Sequence, residues 1–225
     1  MAIFNVNLNF VKREKRIVEL AFEQFEKVKF KARIAVVDDE EVPLIDKLQK
    51  DGYNITKYAD IIEIDSFIRK KYDVLVLDIQ GVGKNIAGTK EGWGILSYLK
   101  HEYPHLVIIV FTGADWSITK VKELADVADL VIGKDLEYLD FKSKLDVAIK
   151  KAFSPNYHYD IEKKTISKEI SNADTFNRLT EIVNKYGQNK EKTLKKVGKL
   201  TSNTKVIESI DSYLSIVSSI FRLLE

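Results

Sequence analysis

The chain is 225 residues long, 45% hydrophobic and 31% charged, with a net charge of +2, three histidines and no cysteine. That is enough apolar material for one or two ordinary domains. The lack of thiols excludes disulfides, thiolate metal sites and cysteine nucleophiles, and fits a reducing, cytoplasmic setting. Balanced charge implies no nucleic-acid partner for the chain as a whole, and no apolar run approaches the roughly 18 residues of a membrane span.

The opening Met1-Ala-Ile-Phe-Asn-Val-Asn lacks the basic head and apolar middle of a signal peptide. From about Phe10 to Phe30, Ile17, Leu20, Ala21, Phe25 and Val28 recur at three and four among charged residues. This predicts one amphipathic helix.

From Arg33 the pattern alternates between strand and helix. Arg33 to Val37 is a β-branched strand, Val42 to Leu48 a helix, Ile55 to Tyr58 a strand and Ile61 to Arg69 a helix. Val74 to Leu77 and Leu106 to Phe111 are apolar on both faces, with a helix at Gly94 to Leu99 between them. Val121 to Leu124 is read as helix, Leu130 to Ile132 as the last strand and Phe141 to Phe153 as the last helix of the unit. Such runs spaced by helices predict a five-stranded parallel sheet, doubly wound by right-handed crossovers.

Beyond Pro155 the strands cease. Tyr157, His158 and Tyr159 read as a docking linker, with His158 a poor phosphorelay candidate for want of a surrounding helix. Phe176, Leu179, Ile182, Val183 and Tyr186 form one helical stripe. Ile207, Ile210, Leu214, Val217, Phe221 and Leu224 form another, widened by Val206, Tyr213 and Ile220. So wide a stripe needs a further surface, either the N-terminal helix or a second copy, so a homodimer or a helical protein partner is expected. Between Lys185 and Lys205 lie seven lysines and one acid, Glu191, but no arginine and no legible helix-turn-helix. A solvated helical face is the plainer reading, with DNA contact the alternative.

The chemistry gathers at the strand ends. Asp38, Asp39 and Asp78 each end or follow an apolar strand, where ligands of such sheets bind. Together their carboxylates would repel unless a hard cation such as Mg²⁺ joined them. Thr112 and Lys134 close the last two strands and bring a hydroxyl and an ammonium to the same rim. Cation, hydroxyl and ammonium are what a phosphoryl group requires.

Val36-Val-Asp38-Asp39-Glu40, Tyr72-Asp-Val-Leu-Val-Leu-Asp78, Val110-Phe-Thr112-Gly and Lys134, in that order, resemble the response-regulator receiver domain of two-component signalling. The resemblance implies a flavodoxin-like receiver at residues 32–153, and the helical stripes outside it divide the rest into an N-terminal amphipathic helix at 1–31 and a helical output or dimerisation region at 154–225. It implies that Asp78 accepts a phosphoryl group from a histidine kinase or a small acyl phosphate. Mg²⁺ would be held by Asp39 and Asp78, assisted by Asp38 and completed by the carbonyl of Gln80, while Thr112 and Lys134 would bind the phosphoryl oxygens. This is self-modification rather than turnover of a substrate, so no enzyme is expected.

Three departures qualify the resemblance. Gly81 to Glu91 is a longer connection than the family's, and is expected to overhang the site and gate it. Asp135 replaces the family's proline after the lysine, and Val131 stands where the aromatic switch residue belongs. A degenerate receiver serving as a scaffold is the alternative that these departures allow. Gly81-Val-Gly-Lys84 is not a P-loop, because Asn85 follows the lysine. Trp93 and Trp116, just beyond strand ends, read as core packing before partner surface.

Overall fold

The computed structural model describes residues 21–113, 123, 126–187 and 189–224. Most of the predicted N-terminal helix, Trp116, and the helix read at Val121 to Leu124 (Glu123 apart) lie outside these residues. The elements in order are α1 (Phe22–Lys29), β1 (Arg33–Val37), α2 (Pro43–Lys50), β2 (Asn54–Tyr58), α3 (Ile64–Arg69) and β3 (Val74–Leu77). Next come α4 (Lys84–Ala87), a 3₁₀ turn (Gly88–Lys90), α5 (Glu91–Glu102), β4 (Val107–Thr112) and β5 (Leu130–Gly133). The chain finishes in α6 (Tyr138–Ala152), α7 (Pro155–Glu169), α8 (Ala173–Tyr186), α9 (Lys190–Leu200) and α10 (Thr204–Leu224).

The five strands make one parallel sheet in the order β2-β1-β3-β4-β5. The order reverses beside β1, the place where doubly wound sheets open a crevice at their carboxyl ends. Strand alternation sorts the core into two layers. Ile34, Val36, Val74, Val76, Val107 and Ile109 point to one face, against Phe141, Leu145 and Ile149 of α6 and Ile45 and Leu48 of α2. Ala35, Val37, Leu75, Leu77, Ile108 and Val110 point to the other, against Phe67 of α3 and Ile95, Leu96 and Leu99 of α5.

The flanking helices are built onto this unit. Phe25 and Val28 of α1 are buried in the first layer, as is Ile220 of α10. Lys29 reaches Asp146 of α6 at 2.9 Å, and Lys31 donates to the Leu223 carbonyl at 2.7 Å. Though Phe221 stays exposed, much of the wide stripe of α10 is thus covered within the chain. Its earlier turns, Val206, Ile210, Tyr213, Leu214 and Val217, pack with Tyr159 and Ile166 of α7, Leu179 and Val183 of α8 and Val197 of α9.

One reading of the C-terminal region is corrected. Tyr157, His158 and Tyr159 do not lie in a linker. They occupy the first turn and the start of the second turn of α7, which Pro155 opens at the first helical position under a Ser154 cap. The seven-lysine stretch is helical, as expected: it runs through α8, α9 and the start of α10, and at the turn between α8 and α9 Asn189 caps α9 by accepting from Lys192 N. Buried Thr193 ties the turn, its hydroxyl donating to Tyr186 O at 2.6 Å and Asn189 O at 2.9 Å. No helix among the described residues is long and apolar enough to cross a membrane.

Candidate functional site

Register alone brings the acids together. Val37 pairs with Leu77, so the next residues, Asp38 and Asp78, stand side by side at the carboxyl rim. Thr112 pairs with Gly133, which puts Lys134 one residue beyond it, its N–H donating to the Thr112 carbonyl at 2.9 Å. Asp38, Asp78 and Thr112 are buried and Asp39 is exposed.

Lys134 Nζ lies 2.7 Å from Asp78 Oδ2 and 3.0 Å from Asp38 Oδ1, with Glu40 Oε2 farther out at 3.5 Å. Asp78 Oδ1 accepts from the N–H groups of Ile79 at 2.6 Å and Gln80 at 3.2 Å. Asp38 Oδ1 also accepts from Glu40 N at 3.0 Å. Burial raises the Asp38 carboxyl above its ordinary range, and the hydrogen bond from Lys134 only partly opposes this. Burial works against the charge on Lys134 too, but its hydrogen bonds to Asp78 and Asp38, and their charges, hold its pKa well above the usual value.

The donor set fits a hard divalent cation. One carboxylate oxygen from each of Asp38, Asp39 and Asp78 can be chosen so that all lie within 4.8 Å of one another. Asp38 Oδ2 is buried and receives no hydrogen bond, although Lys134 Nζ is 2.9 Å away and out of line for one. Among the described residues one ammonium, Lys134, stands with the carboxylates of Asp38, Asp39, Asp78 and Glu40, so negative charge remains at the rim. Such oxygens suit Mg²⁺, which takes one or two of them directly and keeps waters. The sequence-predicted residues Asp38, Asp39, Asp78 and Lys134 therefore converge. Thr112 joins them through β4, and Gln80 turns its backbone back onto Asp78.

The connection from Gly81 to Glu91 is not the loose overhang expected. Val82 is buried in the second layer, Gly83 N donates to Asp60 Oδ1 at 2.6 Å, and Gly81 N donates to Glu91 Oε2 at 3.0 Å. Both glycine amides are thus held by carboxylates rather than presented to a phosphate. Sequence reasoning missed Asp60 and Glu91 as anchors, because an acid in a connecting segment has no periodicity to mark it. Val131 is half-buried and packs with the second layer, and Trp93 does the same. Asp135 turns toward Gly133, where a proline was expected.

His158 is helical, contrary to the ground on which it was set aside, yet it is buried at 3% exposure and far from the acidic rim. Its Nε2 donates to the Ala152 carbonyl at 2.8 Å, and its Nδ1 faces His105 Nδ1 at 3.0 Å. His105 Nε2 meets Glu162 Oε1 of α7 at 2.7 Å. Beside this cluster Tyr157 donates to Asp129 Oδ1 at 3.0 Å, and Asp129 is also paired with Lys100 and Lys151. His105 lies two residues before β4 and Asp129 immediately before β5, so α7 is fastened to the amino ends of the strands whose carboxyl ends carry Thr112 and Lys134.

No family model matches the chain, and no curated protein does. Solved structures similar to it are response-regulator receiver domains, each covering about half of this chain. The receiver domain of NtrX from Brucella abortus is 22% identical over 52% of this chain and 98% of its own, with a TM-score of 0.44. A CheY-like receiver domain protein from Methanospirillum hungatei JF-1 is 23% identical over 54% and 95%, also at 0.44. The beryllofluoride-activated NtrC4 receiver domain dimer is 26% identical over 53% and 98%, at 0.45.

Proposed function

We propose that this chain, a five-stranded receiver fold with helices built onto it, is a signalling switch phosphorylated on Asp78. The observation that carries this reading is Lys134 Nζ bridging Asp78 and Asp38 at the rim, with Thr112 closing the neighbouring strand. Asp38, Asp39 and Asp78, with the Gln80 carbonyl, would hold Mg²⁺, which supplies positive charge to offset that of an incoming phosphoryl group.

The chain's own residues do the rest. An Asp78 oxygen forms the new P–O bond, while the donor's P–N or P–O bond breaks and its electron pair leaves with the imidazole nitrogen or the carboxylate oxygen. The N–H groups of Ile79 and Gln80 hold Asp78 Oδ1, so the carboxylate reacts from a fixed orientation. Lys134, charged throughout the physiological range, follows the phosphoryl oxygens, and the Thr112 hydroxyl donates to one of them. Lys134 then no longer holds Asp38 and Asp78 as it does here, which shifts the tips of β4 and β5. Because α7 is fastened at the other ends of those strands, the helical region is the output of the switch. A histidine kinase or a small acyl phosphate is the donor, and a second copy or a helical protein is the partner.

The test is beryllofluoride with Mg²⁺, a stand-in for the aspartyl phosphoryl group, followed by tryptophan fluorescence. A saturable, Mg²⁺-dependent change that Asp78→Asn abolishes is expected. An unchanged spectrum with the fold intact would leave a scaffold of receiver shape and end the switch reading.

A further inference from the structure

The connection between β3 and α5 bends through four residues with positive φ, three of them glycines and the fourth Glu91 at +48°. A glutamate in the left-handed region is disfavoured by the clash of its own Cβ, so something outside the residue holds it there. Two contacts identify what. The Glu91 side chain accepts the Gly81 N–H at 3.0 Å, closing the connection into a loop. The residue after it, Gly92, sits so close to Asp78 that a Cβ there would stand 2.2 Å from the Asp78 carbonyl oxygen. Glu91 thus joins the turn leaving β3 to the start of α5, directly over the backbone of Asp78.

Gly81 has a second neighbour. A Cβ on it would lie 2.2 Å from Asp39 Oδ2 and 2.5 Å from Oδ1, so the bare Cα of Gly81 is the seat on which the Asp39 carboxylate rests. Asp39 is otherwise exposed, and its carboxylate takes part in none of the hydrogen bonds or ion pairs that order Asp38 and Asp78. Its orientation toward the other two acids depends on that seat. The seat depends on the turn at Gly81, whose N–H is held by Glu91.

We propose that Glu91 is a positioning residue for the acidic rim: by holding the Gly81 amide it places the seat of Asp39, and so sets the affinity of the rim for a divalent cation it does not touch. This rests on the reading of Asp38, Asp39 and Asp78 as a cation site. Ligand carboxylates are commonly oriented by such outer partners, and loss of one weakens metal binding about 10- to 100-fold. Lys84, 3.9 Å from Glu91 Oε1 and largely exposed, adds little to the arrangement.

The experiment is Mn²⁺ binding to the full chain, read from the free-ion signal in electron paramagnetic resonance, with thermal unfolding as the fold control. Asp39→Asn tests the underlying site. If the wild type binds no Mn²⁺, or if Asp39→Asn binds as the wild type does, the cation reading itself fails and the proposal with it. Given a site, Glu91→Ala weakens binding about tenfold, whereas Glu91→Gln stays within about twofold, because its amide oxygen still accepts the Gly81 N–H. Equal losses in Ala and Gln would make Glu91 a charge at the cation rather than a positioning residue, and no loss in either would make it irrelevant. Both results overturn the proposal. Gly81→Ala gives an independent arm: a methyl in the seat displaces Asp39 with Glu91 intact, so affinity falls at least as far as in Glu91→Ala. Wild-type affinity in Gly81→Ala would also overturn it.

Discussion

Lys134 and Asp38 face each other across 3 Å, yet substituting them should move stability in opposite directions. The side chains of Asp38 and Asp78 are only 3% and 4% exposed, and Lys134 is their shared counter-charge. Lys134→Met leaves both charges buried and unpaired, which costs on the order of 3–5 kcal/mol. Urea unfolding at neutral pH should show a fall of that order. Asp38→Asn behaves otherwise. The raised pKa means that the folded chain binds the Asp38 proton more tightly than the unfolded chain does. The ionised group therefore disfavours folding at every pH above the unfolded value, with the full effect reached above the folded one. Removing the charge should leave the unfolding midpoint at pH 7 unchanged or raised, while Mn²⁺ affinity falls. A site that gains stability on losing its acid is one held against its own electrostatics for a purpose.

At the scale of elements, the joint between α7 and the sheet carries a pH dependence that can be worked out in sign. Burial pushes His158 down to about 4 from 6.5, with the His105 ring, the Glu162 carboxylate and the Ala152 carbonyl facing it. The unfolded chain thus takes up this proton first as the pH falls. Stability from His158 is complete above about 6.5 and is lost between there and about 4, by on the order of 3 kcal/mol. Thermal midpoints from pH 7.5 to 4.5 should fall less steeply in His158→Asn than in the wild type, whatever the variant's starting stability. Parallel curves would remove His158 as the source.

Legibility also divides by element. β1, β3 and β4 are apolar on both faces and end in Asp or Thr, so sheet, rim and site could all be read from the chain. The amino-terminal end of α7 could not. Pro155 was read as a stop, although a proline behind Ser154 is also how a helix begins, and only the hydrogen bond from Tyr157 N to the Ser154 hydroxyl decides between the two. The start of α5 was placed at Gly94 rather than Glu91, because Glu91 and Gly92 look like loop chemistry and their role is set by contacts with Gly81 and Asp78, distant in pattern. Asp38, Asp39, Asp78, Thr112 and Lys134 were legible because each ends a strand or follows one within two residues. Asp60 and Glu91 were not, because side chains that bind backbone amides leave no spacing.

The described residues form one packed body rather than a sheet domain with an appendage. Ile220 of α10 belongs to the same buried layer as Phe25 of α1 and Phe153 at the end of α6. Tyr157, His158 and Glu162 bind α7 to the amino ends of β4 and β5. Calorimetry should therefore give a single unfolding transition for the full chain, with equal calorimetric and van't Hoff enthalpies. Two resolved transitions would mean that the helical region folds on its own. The six residues of β4, Thr112 the last of them, lead from the joint to the rim, a span of roughly 20 Å at about 3.3 Å per residue.

Ile220 has one more consequence, for inheritance. A receiver followed by a flexible tether can be cut and rejoined to a foreign tail at the tether, and lineages can shuffle such cassettes freely. Here a cut at Pro155 would remove a side chain from the sheet domain's own interior, and a transplanted tail would have to supply an apolar residue of the same shape at the same place. The two halves of this gene are bound to diverge together, so a change of size at Phe25, Phe153 or Ile220 in one descendant calls for a matching change in the others.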